Sequence, residues 1–166
     1  MSTFVADASP FTHLAAIGRA GLLREIYGTV LVPARIWQEM AEAGQGRPGE
    51  VELRQAVAGG WVVVESVAGP VPSVNLSLLH PGEIEALQLA IAKKADLVIL
   101  DEKSGRQAAT SLGFRVVGVV GILVEARRRN LVSDLSAELI RLRTQGGFRL
   151  SQAVIEMALR FVGELK

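Results

Sequence analysis

The chain has 166 residues, of which 49% are hydrophobic, 21% are charged and 5% are aromatic, which suits one domain spanning 1–166. A formal net charge of +1 gives no global attraction for nucleic acid, so such binding would need local patches. The absence of cysteine excludes disulfides, thiolate metal sites and cysteine nucleophiles, and it fits a reducing cytoplasm.

The N-terminus has no basic segment and is not typical of a secretory signal. The longest apolar run, residues 116–124, contains two glycines and is too short to span a bilayer. We therefore expect a cytoplasmic protein with no membrane association.

Two predicted strands occupy the N-terminal part of the chain, and each leads into a helix. The first, at residues 3–6, ends at Asp7, and Ser9 is the predicted cap of the helix that follows. The second, at 29–32, precedes a helix that carries Glu39 on the border of its apolar face. Either acid alone is typical of a turn or of a solvated surface.

The middle of the chain carries no evident chemistry. Residues 44–49 predict a loop, 50–58 a short helix, and 61–64 a strand-like segment. A connector rich in proline and serine follows at 69–77. We interpret this portion as an insertion or flap beside the site.

A helix followed by a strand occupies residues 81–100. Glu83 and Glu85 lie in the first helical turn, where the helix dipole favours negative charge. The apolar run at 97–100 predicts a buried strand, and Asp101 follows it. This is the second strand that ends in an aspartate.

The remaining pattern alternates helix and strand before a helical end. It comprises a helix at 106–112, a strand at 114–117, and helices at 118–129, 133–145 and 151–162. The alternation predicts a three-layer α/β/α sandwich around a parallel sheet of four to five strands. We expect a core at about 1–130 and a helical C-terminal extension at about 131–166.

The acids are predicted to gather at one edge of the sheet. Asp7 and Asp101 follow parallel strands, and the N-terminus of an antiparallel helix brings Glu83 to the same edge, where ligands bind in such sheets. The alternative is that Glu83 and Glu85 only compensate the helix dipole and that Asp101 caps a helix. Clustered carboxylates repel unless a cation neutralises them, and all-oxygen ligands select Mg²⁺ or Mn²⁺.

The chain resembles the PIN-domain family of metal-dependent nucleases, which includes VapC-type toxins, and within it a small prokaryotic PIN-like subfamily. The resemblance covers roughly 3–125 and rests on VADASP at 5–10, VPARIWQE at 32–39, GEIEA at 82–86 and ADLVILD at 95–101. It implies a Mg²⁺ or Mn²⁺ site for RNA cleavage, built from Asp7, Glu39, Glu83 and Asp101. Ser9 would donate a hydrogen bond that orients one of these carboxylates.

Departures from the family pattern leave two positions open. Many members have Asp where Glu83 stands, so Glu85 is an alternative ligand, and Glu102 is a rival for Asp101. A hydroxyl residue often found shortly before the second aspartate is replaced here by Ile99 and Leu100.

Partners follow from the resemblance and from local charge. Candidate RNA contacts are Arg35, Lys103, Arg106 and the arginine run 127–129, although such a run is also favourable at a helix C-terminus. The resemblance also implies a homodimer and admits an antitoxin protein as partner. Two functions stay open: a ribonuclease, with the toxin of a toxin–antitoxin pair as one form, or a module that binds nucleic acid or protein without cutting.

Overall fold

The computed structural model describes residues 1–43 and 46–165. Part of the predicted loop at 44–49 lies outside the described residues. Within them, the strands are β1 (Phe4–Ala6), β2 (Val30–Pro33), β3 (Val62–Glu65), β4 (Leu97–Ile99) and β5 (Arg115–Val117). They form one sheet in the order β3-β2-β1-β4-β5, and every neighbouring pair is parallel.

Helices cover both faces of this sheet. In chain order they are α1 (Ala8–Ala16), α2 (Leu22–Tyr27), α3 (Ala34–Trp37), α4 (Glu50–Ala58), α5 (Pro81–Lys93), α6 (Lys103–Ser111), α7 (Val119–Arg128), α8 (Leu135–Thr144) and α9 (Gln152–Phe161). A π-helical turn (Gln38–Glu42) continues α3, and a 3-10 turn (Leu76–Leu78) precedes α5. The predicted α/β/α sandwich is confirmed.

The two faces of the sheet bury different side chains, as strand alternation requires. Ala6 and Ile99 belong to a large apolar cluster that also contains buried residues of α1, α4, α7, α8 and α9. Val5, Val98 and Leu100 belong to a second cluster with α5 and α6. Because both faces are covered, the strands consist of nearly continuous apolar residues, which is typical of parallel sheets.

The interpretation of the middle portion as an insertion or flap was wrong. Residues 62–65 form the edge strand β3, which pairs with β2 from Val30↔Val62 to Pro33↔Glu65. Helix α4 is the last helix of the crossover between these strands, and its Leu53 and Ala56 are buried in the large cluster. A short valine run shows strand propensity, but its sequence does not reveal which strand it pairs with.

The predicted cap of the first helix was also wrong. Helix α1 begins at Ala8, directly after Asp7, so that Ser9 lies inside the first turn. The backbone of Asp7 is extended (φ −86°, ψ 178°), and its N–H still continues the sheet by donating to the carbonyl of Ile99 at 3.0 Å. The strand therefore passes into the helix without an intervening loop.

The C-terminal helices are held to the body of the protein by two glutamates. The buried Glu138 of α8 pairs with Arg19, which precedes α2, and with Arg141. Glu164 accepts hydrogen bonds from the backbone N–H groups of Leu135 and Ser136 at the start of α8, and it pairs with Arg127 of α7. In the part of the chain that the structure describes, no helix is both long and apolar enough to cross a membrane.

Candidate metal centre

The carboxyl edge of the sheet brings the predicted acids near one another but sends two of them in opposite directions. Ala6 is in register with Ile99, so Asp7 is level with Leu100, and Asp101 lies one residue beyond. Side chains alternate between the faces of a strand. Asp7 therefore projects towards α5, whereas Asp101 projects towards α7, to whose first N–H it is bonded.

Three acids from three separate elements line one cavity of about 360 Å³. Asp7 comes from the end of β1, Glu39 from the π-helical turn, and Glu83 from the first turn of α5. Asp7 and Glu83 are only 7% and 2% exposed, whereas Glu39 lies open to solvent. The exposed Glu102 joins them at the rim. We call this space the acid cavity.

Gly105 and Gly118 make room for carboxylates, whereas Gly82 makes room for the side chain of Ile36 and lies at ordinary contact distance from two carboxylate oxygens. A Cβ on Gly82 would stand 3.5 Å from Asp7 Oδ1 and 3.8 Å from Glu39 Oε2, so these two oxygens flank the same point on α5. A Cβ on Gly105 would stand 3.1 Å from Glu83 Oε2. On Gly118 it would clash with Asp101 Oδ1 at 2.6 Å. Glycine is the residue that allows such close approach of backbone to a functional group.

Burial and mutual repulsion raise the pKa of the inward-facing acids. The pKa of Asp7 is raised mainly by burial and further by the charges of Glu39, Asp101 and Glu102, while the backbone N–H of Ala8 acts in the opposite direction. The pKa of Glu83 is raised by burial and by the charge of Asp7. Without a cation, these groups therefore resist ionisation more than ordinary carboxyls do.

Several buried polar atoms at this edge have no hydrogen-bond partner among the described residues. They are Ser9 Oγ, Glu83 Oε2 and Asp101 Oδ2. Buried polar atoms without partners are rare and call for an explanation such as an ion or water. In the described residues no three His, Cys, Asp or Glu side chains already converge closely enough to form a complete metal site. The carboxylates nevertheless supply oxygen donors, which fit Mg²⁺ or Mn²⁺, although His13 and His80 also line the cavity, and a cation would supply the missing partner.

Asp101 is not among the residues that line the acid cavity. Its Oδ1 accepts from the N–H of Val119 at 2.8 Å, which satisfies a free donor at the start of α7. Burial raises its pKa, while the bond from Val119 and the charges of His13 and Arg106 lower it. The charge of Asp101 still reaches Asp7, whose pKa it raises.

Glu85, the alternative ligand, does not line the acid cavity. Its carboxylate accepts from Arg35 Nε at 2.9 Å and from the backbone N–H of Arg35 at 3.3 Å. It therefore ties α5 to the first turn of α3. The same arginine approaches Glu39 at 3.9 Å, so this RNA-contact candidate is engaged by two carboxylates.

The other predicted cations differ in their surroundings. Lys103 is exposed and lines a small cavity together with Asp101 and Arg106. Arg106 donates to the carbonyl of Leu100 at 3.1 Å. The run at 127–129 is ion-paired with Glu125 and Glu164, as a structural role at a helix C-terminus requires.

Sequence reasoning assigned Ser9 of α1 to the site but missed two further residues of this helix, Thr12 and His13. They line the acid cavity together with Ser9, at the spacing of three and four residues that places side chains on one helical face. His13 Nδ1 lies 3.2 Å from the carbonyl oxygen of Gly146, and its ring meets that of Phe148 edge-on. The sequence signal for this helix face was the i, i+3, i+4 spacing of Ser9, Thr12 and His13.

The family follows from a comparison of the whole chain. A family model described as a PIN domain matches residues 3–164. The chain belongs to the PIN-domain family. Membership gives this PIN domain a nuclease-like fold, in a family whose members generally use divalent metal ions and are associated with nucleic-acid binding. No curated protein matches the chain.

Proposed function

We propose that this PIN domain is a Mg²⁺- or Mn²⁺-dependent endoribonuclease that hydrolyses phosphodiester bonds in RNA. One observation carries the proposal: Asp7, Glu39 and Glu83, from separate elements, line one cavity, and the buried Oε2 of Glu83 has no hydrogen-bond partner among the described residues. Maintaining such a cluster costs stability, because burial and repulsion oppose ionisation. A cost of this kind is typical of a functional site.

The proposed ligands are Asp7, Glu39 and Glu83, with Asp101 joining from the opposite face of the sheet edge. A bound divalent ion supplies an activated water and neutralises the negative charge that develops on the phosphate. Glu102, at the rim of the cavity, is the alternative to Asp101, because it lines the space that Asp101 does not.

The remaining residues of the site hold the acids and attract the substrate. Ser9 lies behind Asp7 with a buried hydroxyl that is available to donate to a carboxylate. Lys103 and Arg106 place positive charge beside Asp101, where an RNA phosphate can be held. Arg35 can reach RNA only by giving up an ion pair, so we assign it a smaller contribution.

Two glutamates in the same turn of α5 provide a matched test. The assay is Mn²⁺-dependent cleavage of a mixed RNA pool by wild type, Glu83→Gln and Glu85→Gln, with binding of Mn²⁺ followed by calorimetry. We expect Glu83→Gln to lose cleavage and to weaken metal binding, while Glu85→Gln keeps both. The reverse result would assign the ligand role to Glu85. The proposed enzymatic activity would be refuted if the folded wild-type protein neither bound Mn²⁺ nor cut RNA.

A module that binds without cutting is the second candidate, and the position of Asp101 favours it. One oxygen of this aspartate is bonded to the start of α7, and Arg106 lies beside it, so a structural role would account for its presence. The test is Asp101→Asn with the same RNA pool. Retention of RNA binding without cleavage by wild type and variant alike would support the module.

The finer biological role that we propose is the toxin of a toxin–antitoxin pair, active as a homodimer in the cytoplasm, where its RNA substrates occur. Its support is the resemblance to VapC-type toxins in the order of the four acids. Induced expression in a bacterial host should arrest growth for wild type but not for Glu83→Gln. Equal growth with both proteins at equal abundance would count against a toxin.

A further inference from the structure

A groove separate from the acid cavity is lined in part by Asp101. It has a volume of about 1020 Å³ and lies between α7, α9, β5 and the segment 148–151. Most of its walls are apolar, and Asp101 and Arg106 contribute to one side. We call it the α7–α9 groove.

Helix α9 is apolar on two faces, and only one of them is packed. Ile155 and Leu159 are buried in the large cluster and hold the helix to the protein. Met157 and Phe161, four residues apart on another face, are 65% and 67% exposed beside the groove. A surface helix of a globular protein usually carries one apolar stripe, so the second stripe indicates a surface that another molecule covers.

The groove has the composition of a protein-binding surface. Methionine, aromatic residues and arginine are enriched in protein interfaces, and here they occur together as Met157, Phe148, Phe161, Arg106 and Arg149. The aliphatic remainder of the lining offers little to a nucleic-acid strand, which is recognised by aromatic stacking and backbone charge. A groove between two helices is also the usual receptor for an amphipathic helix.

The charge around the groove specifies the partner further. Arg149 is exposed at the lining and is in no ion pair with a described residue. The acid of the lining, Asp101, lies beside Arg106 and is already hydrogen-bonded. An incoming segment would therefore meet a net positive rim, which favours acidic flanks.

We propose that the α7–α9 groove binds an amphipathic helical segment of another protein, with apolar anchors at helical spacing and acidic residues beside them. Met157 and Phe161 contact the anchors, and Arg149 pairs with the acids. Because Asp101 and Arg106 line the same groove, the bound segment contacts the nuclease-like edge and can obstruct it. The binding itself does not depend on cleavage activity.

A displayed library provides the probe. It contains helices of about 16 residues, roughly 24 Å long, with apolar residues at the anchor positions and a free choice of Glu, Lys or Gln elsewhere. Selection on wild type should enrich peptides with an excess of Glu. In anisotropy measurements, Phe161→Asp should weaken their binding by at least about tenfold, equivalent to about 1.4 kcal/mol. Arg149→Glu should shift the preference towards Lys-rich peptides.

The controls distinguish specific binding in this groove from nonspecific hydrophobic binding and from the binding of other ligands. Leu78, which precedes α5, is 67% exposed like Phe161, so Leu78→Asp is a matched change outside the groove and should leave binding unaltered. No enrichment, or equal binding to Phe161→Asp, would overturn the proposal. The proposal would also be overturned if a uridine oligonucleotide, and not a peptide, bound wild type and lost its binding in Phe161→Asp. A dimeric wild type that becomes monomeric in this variant would assign the groove to a second copy instead.

Discussion

Neutralising Glu83 should stabilise the metal-free protein, contrary to the usual effect of changing a buried residue. Its carboxylate is 2% exposed, Oε2 has no partner among the described residues, and the charge of Asp7 acts on it. A buried polar group without a partner costs about 1–3 kcal/mol, and more when charged. Gln keeps the shape and removes the charge, so we expect a gain of about 1–2 kcal/mol at neutral pH by that reasoning.

The direction of the pKa shift of Glu83 determines how the stability of the protein changes with pH. Because the pKa of Glu83 is raised in the folded state, the folded protein retains a proton that the unfolded chain has lost. Wild-type stability should therefore fall as pH rises from the ordinary glutamate value through the raised one. The advantage of Glu83→Gln should be absent near pH 4, where both side chains are neutral, and complete above the raised pKa.

The assay is thermal and urea unfolding of wild type and Glu83→Gln between about pH 4 and 8, with a chelator present. For a chain of this length, about 1 kcal/mol corresponds to roughly 2–4 °C in Tm. Glu85→Gln is the control, since it loses a partly exposed ion pair worth about 1 kcal/mol and should not gain stability. Mn²⁺ at about 100 times its Kd should stabilise wild type by about 2.7 kcal/mol and the Glu83 variant by less. A Glu83→Gln protein that is no more stable than wild type at any pH would refute the reasoning.

Three further predictions concern other parts of the molecule. Gly118→Ala should displace Asp101 and weaken Mn²⁺ binding in calorimetry, because its Cβ would clash with Asp101 Oδ1, whereas Gly21→Ala, at a position with φ −60° and free space around it, should not. Glu138→Ala should lower the free energy of unfolding by about 1–3 kcal/mol in urea titrations, because it removes the buried partner of Arg19 and Arg141, whose own side chains are partly exposed and remain solvated. The hydrogen bonds that Glu164 accepts lower its pKa, so the stability that it contributes should be present at neutral pH and lost as pH falls below the ordinary glutamate pKa. In Glu164→Gln, the free energy of unfolding should therefore depend less on pH in the acid range.

Much of the fold could be predicted because its signals are local. Apolar runs of three or four residues marked the strands, and their alternation with helical periodicity indicated a parallel sheet. The crossover helix α4 was placed at its observed bounds, Glu50–Ala58. The edge strand β3 was assigned to a flap, because pairing between distant strands leaves no local signal.

Within the candidate site, the sequence by itself determined which acids follow strands and which acid opens α5. It also determined that no thiolate metal ligand is present, since cysteine is absent. These properties depend on residue type and on distance along the chain. They place Asp7, Glu83 and Asp101 at one edge of the sheet, in any register that keeps the strands parallel.

Only the tertiary structure decided which side of that edge each acid faces. The pairing of Ala6 with Ile99 sends Asp7 towards α5 and Asp101 towards α7, and a shift of one residue would reverse one of them. Long-range contact likewise decided that Arg35 engages Glu85 and that Gly105 makes room for Glu83. Register and side-chain pairing depend on residues far apart in the chain, so no local pattern encodes them.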